Sequence, residues 1–162
     1  MSFRFEFRPY EERDLEAMYA LDFACFDRPF RFRIEDIRTF AGERDAVTVL
    51  AEEAGQLVGF FIVERTGTAA YLVTLDVSPR LRRQGLGREL LTRAERAFPD
   101  VARLVLHVYT GNETAIQFYE ANGYLRTGEA RTFYGQGRDA WIYTKELKPN
   151  KETNSAIGPE ER

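Results

Sequence analysis

Three groups of residues have the types and spacing to do chemistry. Arg82-Arg83-Gln84-Gly85-Leu86-Gly87, followed by Arg88, combines two glycines with a cluster of arginines. Where such a turn opens a helix, the first N–H groups have no intrahelical partner and the helix dipole adds partial positive charge. Gly85 and Gly87 let an anion approach that backbone, and the arginines add charge-assisted donors, so a pyrophosphate fits. A tight strand-to-helix turn with solvated arginines has the same composition. No Gly-Lys-Ser/Thr follows, which excludes a Walker loop, and the third glycine of a dinucleotide fingerprint is missing. His107 is the one histidine of the chain, five residues before Asn112 and on a strand face with Val105 and Tyr109. It titrates in the range a general base needs, although a lone strand histidine also serves as an ordinary core or surface residue. Cys25, the one cysteine, leaves no internal disulfide to form. It reads as a small buried helix residue rather than a catalytic thiol. No metal-ligand pattern is legible.

These residues must be positioned by an α/β domain. Phe3, Phe5 and Phe7 alternate with charged residues and predict a half-buried strand ending at Pro9. Glu11 to Cys25 carries Leu15, Met18 and Leu21 at helical spacing, and a second helix is expected from Ile34 to Phe40. Ala46–Glu53 and Leu57–Glu64 predict a hairpin about Gly55, and Ala70–Val77 a third strand. A helix then runs from the glycine turn to about Phe98, with Leu86, Leu90, Leu91 and Ala94 in one stripe. Leu104–Tyr109 is the next strand. Asn112–Asn122 is a helix closed by Gly123 in a left-handed cap. Tyr124–Tyr134 and Ala140–Leu147 predict a final hairpin about Gly135-Gln136-Gly137. The order β-α-α-β-β-β-α-β-α-β-β is an α/β layout with a mostly antiparallel sheet. Residues 1–148 form the expected domain, and the polar stretch 149–162 is expected to be a disordered tail.

With 162 residues, 44% hydrophobic and 30% charged, the chain has the size and composition of one soluble globular domain. A net charge of −3 gives no reason to expect nucleic acid or an anionic membrane as partner. No apolar run approaches the ~20 residues that span a bilayer. Met1-Ser2-Phe3-Arg4-Phe5-Glu6 lacks the apolar block of a signal peptide, so a cytoplasmic enzyme, monomeric or homodimeric, is the expectation.

The spacing R-x-x-G-x-G from Arg82 to Gly87, after Val77-Ser78-Pro79 at a strand end, resembles the pyrophosphate motif of GNAT acetyltransferases. Asn112-Glu113-Thr114-Ala115-Ile116-Gln117-Phe118-Tyr119, ending at Gly123-Tyr124, resembles the family's second signature, N-x-x-A-x-x-F-Y-x-x-x-G-F/Y. Both occur in order, one strand apart, and the likeness spans about residues 3 to 147. It implies a GNAT fold whose strands splay at an acetyl-CoA cleft, with helices on both sheet faces. It also implies that acetyl-CoA is the cosubstrate and that acetyl is transferred directly to an amine.

Such a transfer needs a neutral amine, a stabilised oxyanion and a proton for the departing thiolate. Carried onto this chain, the resemblance gives cofactor contacts to the main chain of Leu75 and Val77, to Arg82, Arg83, Gly85, Leu86, Gly87 and Arg88, and to Asn112. Tyr119 matches the tyrosine beside the thioester sulfur. Bacterial ribosomal-protein N-terminal acetyltransferases carry a glutamate where this chain has His107. Leu106-His107-Val108 followed by Asn112-Glu113-Thr114-Ala115-Ile116 is closer to the NatE catalytic subunit. There a histidine at this place works with a tyrosine of the preceding strand through an ordered water. Counted back from Gly85, that tyrosine is Tyr71.

Phe133-Tyr134-Gly135-Gln136-Gly137-Arg138-Asp139-Ala140 resembles the Y-Y-x-x-G-x-D-A hairpin that holds the substrate backbone in N-terminal acetyltransferases. Phe133 lacks the first hydroxyl, and Tyr134 keeps the second. Phe26, Pro29 and Phe30 stand where the family builds the pocket for the first side chain; capping the core is their equal alternative. The expected acceptor is a protein or peptide N-terminus. A small amine, such as an amino acid, polyamine or antibiotic, is the second reading, and a non-catalytic acetyl-CoA-binding module the third.

Overall fold

The computed structural model describes residues 4–147. Phe3 and the stretch 149–162 lie outside the described residues. The elements are β1 (Glu6–Pro9), α1 (Leu15–Cys25), α2 (Ile34–Ala41), β2 (Ala46–Glu53), β3 (Gln56–Thr66), β4 (Ala69–Val77), α3 (Leu86–Glu95), β5 (Arg103–Tyr109), α4 (Glu113–Ala121), β6 (Leu125–Ala130) and β7 (Ala140–Glu146). This is the expected order. Single 3-10 turns precede α1 and α3, and one lies between α1 and α2.

Seven strands form one sheet in the order β1-β2-β3-β4-β5-β7-β6. Every pair is antiparallel except β4 with β5. β3 is the central apolar run: Phe60 and Ile62 face α1 and α2, whereas Phe61 and Val63 pack on the side of α3 and α4. A strand buried on both faces reads as a near-continuous hydrophobic segment, as Val58–Val63 does. Pro9 sits on edge strand β1, where its missing N–H costs no ladder bond on the solvent side.

Two departures from the expected elements matter. β6 stops at Ala130 rather than Tyr134, because Thr132, Gly135 and Gly137 all have positive φ (55°, 111° and 75°) and no strand continues through such residues. The segment 131–139 is therefore a folded loop carrying Phe133 and Tyr134. The second is a bulge in β4: Ile62 pairs with Thr74 and Val63 with Leu72, leaving Val73 unpaired. Bulges bend a strand and sharpen its twist. This one sits where β4 parts from β5.

The parting makes the cleft. β5 pairs with β4 only through Ala69↔Arg103, Ala70↔Leu104 and Tyr71↔Val105, while it follows β7 along its whole length. From Leu72 to Val77, β4 pairs with no strand on that side among the described residues. The strands are splayed, as the resemblance implied.

Candidate active site

The cleft floor is main chain. Ser78 donates its N–H to the Val58 carbonyl at 2.8 Å, so Val77 opposite Gly59 is a non-hydrogen-bonded pair of the ladder. The N–H and C=O of Val77 therefore point away from β3 into the gap, and Leu75, opposite Phe61, has the same phase. The Val77 carbonyl already accepts from Cys25 Sγ at 3.2 Å and from Arg82 Nε at 3.4 Å. Burial pushes the Cys25 thiol up to about 12, with Asp76 adding to it, which removes any nucleophilic role at neutral pH.

At the mouth of the gap α3 begins with Gly85, held at φ 90°. Its first helical bond is Glu89 N–H to Gly85 C=O, and no side chain among the described residues caps the end. The N–H groups of Leu86, Gly87 and Arg88 are left for another acceptor. A Cβ on Gly85 would meet nothing within 4 Å, so the space over the turn is open. Arg82, Arg83 and Arg88 are exposed around it and form no ion pair among the described residues. Open N–H groups, an empty approach and unpaired cations fit a pyrophosphate. α4 is different: Asn112 Oδ1 accepts the Ala115 N–H at 3.1 Å, so this side chain is already committed to capping.

The two titratable residues expected to act together do meet. Tyr71 Oη lies 2.8 Å from His107 Nδ1. The contact is direct, leaving no room for a water between these atoms. Tyr71 and His107 stand on the last paired step of β4 and on β5 just beyond it, at the fork. His107 is half-buried, and burial holds its pKa below the ordinary imidazole value. Tyr71 is pushed well above the usual phenol range, first by burial and then by the nearby Tyr134 and Glu64. On α4, Tyr119 packs against Phe118 and Tyr124 with ring centroids 5.1 and 5.6 Å away. Its side chain is partly buried. Burial raises its pKa, followed by Tyr134, Asp76 and Tyr71.

Above the fork lies an aromatic cluster from three segments. Phe133 stacks on His107 at 3.9 Å with rings 2° from parallel. Tyr134 donates its hydroxyl to the His107 carbonyl at 3.2 Å. Phe30 packs on Tyr109 and Tyr134 at 4.9 and 5.2 Å. Of the α1–α2 residues, Phe30 thus reaches the cluster, Pro29 sets an exposed 3-10 turn, and Phe26 ends α1 with its carbonyl bound by Arg31 Nε at 2.7 Å. Tyr109 was not assigned from sequence, though its place two residues beyond His107 put it on the same strand face. Gly111 makes room for it, since a Cβ there would come within 2.6 Å of the Tyr109 ring.

Sequence reasoning also missed Asp22 and Asp76, both with no exposed surface. The signals were present: Asp22 is seven residues after Leu15, on the core stripe of α1, and Asp76 follows Leu72 and Thr74 on the buried parity of β4.

The strand fork has an uncapped helix N-terminus at its mouth, and residues 10–124 match the Acetyltransferase (GNAT) family. The chain belongs to the GNAT acetyltransferases and is an N-acetyltransferase. An uncharacterized N-acetyltransferase of Methanocaldococcus jannaschii is 27% identical over 146 residues, covering 88% of this chain and 92% of its own. The ribosomal protein bS18-alanine N-acetyltransferase of Escherichia coli is 33% identical over 129 residues, covering 76% and 83%. The crystal structure of the Escherichia coli ribosomal-protein-S18-alanine N-acetyltransferase superposes with a TM-score of 0.79 at 25% identity, covering 88% of this chain and 94% of that one.

Proposed function

We propose that this enzyme uses acetyl-CoA to acetylate the α-amine of a protein or peptide N-terminus by direct transfer. The observation that carries the reading is the Tyr71–His107 contact of 2.8 Å at the strand fork, beneath the aromatic cluster of the 131–139 loop.

Acetyl-CoA supplies an acetyl thioester whose sulfur leaves as a thiolate. The residues that would hold it are the amides of Leu86, Gly87 and Arg88, the arginines Arg82 and Arg83, and the gap-facing main chain of Leu75 and Val77. Tyr119 retains its proton at neutral pH and offers it at Oη to the sulfur. His107, with its pKa below the ordinary value, is neutral and free to accept a proton. Tyr71 holds Nδ1, and the phenol can either donate to it or accept from it. If Nδ1–H donates to the phenol oxygen, Nε2 carries the free lone pair and is the base.

The acceptor class follows from proton energetics. An α-amine has a pKa of about 8, so roughly a quarter is neutral near pH 7.5, against roughly one lysine side chain in a thousand. A weak imidazole base serves the first and is poor for the second. The Escherichia coli relative is named for alanine acetylation of a ribosomal protein, which supports the same direction. A cytoplasmic location fits such an acceptor.

The test is coenzyme A release with acetyl-CoA over peptides with free or blocked N-termini, free amino acids and polyamines. Turnover confined to free N-termini is expected. Turnover confined to small amines would overturn the acceptor assignment and leave the family intact.

A further inference from the structure

We propose that Phe133 is a positioning residue for the base, fixing the plane of the His107 imidazole by stacking on it and thereby setting which nitrogen faces the acceptor. This rests on His107 being the base.

The need arises from the side chain itself. The outer torsion of histidine joins an sp³ to an sp² carbon, so its rotamer well is broad and does not fix the ring plane. Something outside the residue must. Tyr71 holds one edge through Nδ1 at 2.8 Å, but a single hydrogen bond tolerates some rotation of the ring about its Cβ–Cγ bond. Phe133 removes the remaining freedom: its ring lies 3.9 Å from the imidazole and 2° from parallel.

Phe133 does not hold its place for the sake of the core. It is 47% exposed, so burial contributes little there. The loop that carries it is nonetheless fixed. Thr132 N–H bonds Asp139 Oδ1 at 2.8 Å, Tyr134 N–H the Arg138 carbonyl at 3.0 Å, and Arg138 N–H the Gly135 carbonyl at 2.9 Å. Two further bonds tie it to β5: Thr110 N–H to the Asp139 carbonyl at 3.0 Å, and Tyr134 Oη to the carbonyl of His107 itself at 3.2 Å. The loop is thus registered against the residue whose ring it covers. The hydroxyl that Phe133 lacks, relative to the tyrosine of similar hairpins, is not needed for a stack.

The chain holds one histidine, so NMR of the untagged protein reads one imidazole. The ring current of Phe133 is expected to displace the His107 carbon-bound protons upfield. Phe133→Leu should abolish that displacement, and Phe133→Tyr should keep it. In turnover, Phe133→Leu should lower kcat about tenfold with the acetyl-CoA KM within about twofold, and Phe133→Tyr should restore kcat. A wild-type spectrum without the upfield displacement, or a Phe133→Leu enzyme with full kcat, overturns the proposal. The stack is read without turnover. Upfield protons together with full activity of His107→Ala would therefore mean that His107 is not the base, and would overturn the catalytic part of the proposal while leaving the stack itself established.

Discussion

Asp76 of β4 and Asp22 of α1 both lie fully buried, and Asp22 helps to push the Asp76 carboxyl up. Each has one oxygen satisfied elsewhere: Thr74 Oγ1 donates to Asp76 Oδ1 at 2.6 Å, and Phe32 N–H to Asp22 Oδ2 at 2.8 Å. The other oxygens, Asp22 Oδ1 and Asp76 Oδ2, have no hydrogen-bond partner among the described residues. One proton shared between them would satisfy both, and two neighbouring buried carboxylates could not both ionise. Asp76 retains that proton, its pKa raised well above the carboxylate range by burial and then by Asp22. The pair fastens the strand that floors the cleft to α1 and, through Phe32, to the segment that carries Phe30.

A carboxyl whose folded pKa is raised contributes stability below its unfolded pKa and loses it as pH climbs through the folded one. Wild-type stability should therefore fall as pH rises above about 4, by up to about 1.4 kcal/mol per pH unit until the folded pKa is passed. Asp76→Asn keeps a donor toward Asp22 and an acceptor for Thr74 without the titration. Thermal unfolding of both proteins from pH 5 to 9 checks this. The advantage of Asp76→Asn should widen with pH; a constant difference would show that the pair does not share a proton.

His107→Ala should lower turnover by ~10²-fold or more with little change in acetyl-CoA affinity, as removal of a general base does. Tyr71→Phe should cost less, and the double variant should fall no further than His107→Ala, because the two act as one unit. For a base with a depressed pKa, kcat/KM expressed per neutral α-amine is lost as pH falls through a midpoint below the ordinary imidazole value of about 6.5. A midpoint above 6.5, or an acid limb that survives in His107→Ala, would remove His107 from the mechanism.

Much of this site could be read from residue types, because its parts belong to local patterns. The period-2 run of β5 put His107 and Tyr109 on one face, the glycine turn announced an uncapped helix, and ungapped counting reached Tyr71. What escaped depends on contacts distant in sequence. Asp22 and Asp76 each sit at a legible core position, but their meeting requires α1 to cross β4. The Phe133 stack depends on three positive-φ residues in a loop that reads, by residue type, as the end of a strand. The Val73 bulge leaves no mark in the sequence, since valine is an ordinary strand residue.

Gly85 should be required by backbone shape as well as by the cofactor. Its φ of 90° lies in the left-handed region, where a Cβ costs about 1–2 kcal/mol. Gly85→Ala should lose that stability and weaken acetyl-CoA binding. Replacing both Gly85 and Gly87 with bulkier residues should abolish binding by filling the approach to the Leu86, Gly87 and Arg88 amides. Calorimetric titration with coenzyme A decides it: tight binding by a folded double variant would sink the pyrophosphate assignment.

Tyr119 provides the sharpest separation of binding from chemistry. With its pKa raised by burial, its phenol keeps its proton throughout the working range and acts as a donor. It packs on Phe118 and Tyr124 through its ring, contacts that Tyr119→Phe preserves. The variant should therefore fold with unchanged stability and bind coenzyme A as before, while kcat falls about tenfold or more for want of a proton at the departing sulfur. A leaving group that is a better thiolate needs that proton less, so an activated acetyl thioester should narrow the gap between variant and wild type. Equal losses with both thioesters would mean that the hydroxyl orients the cofactor instead of serving the sulfur.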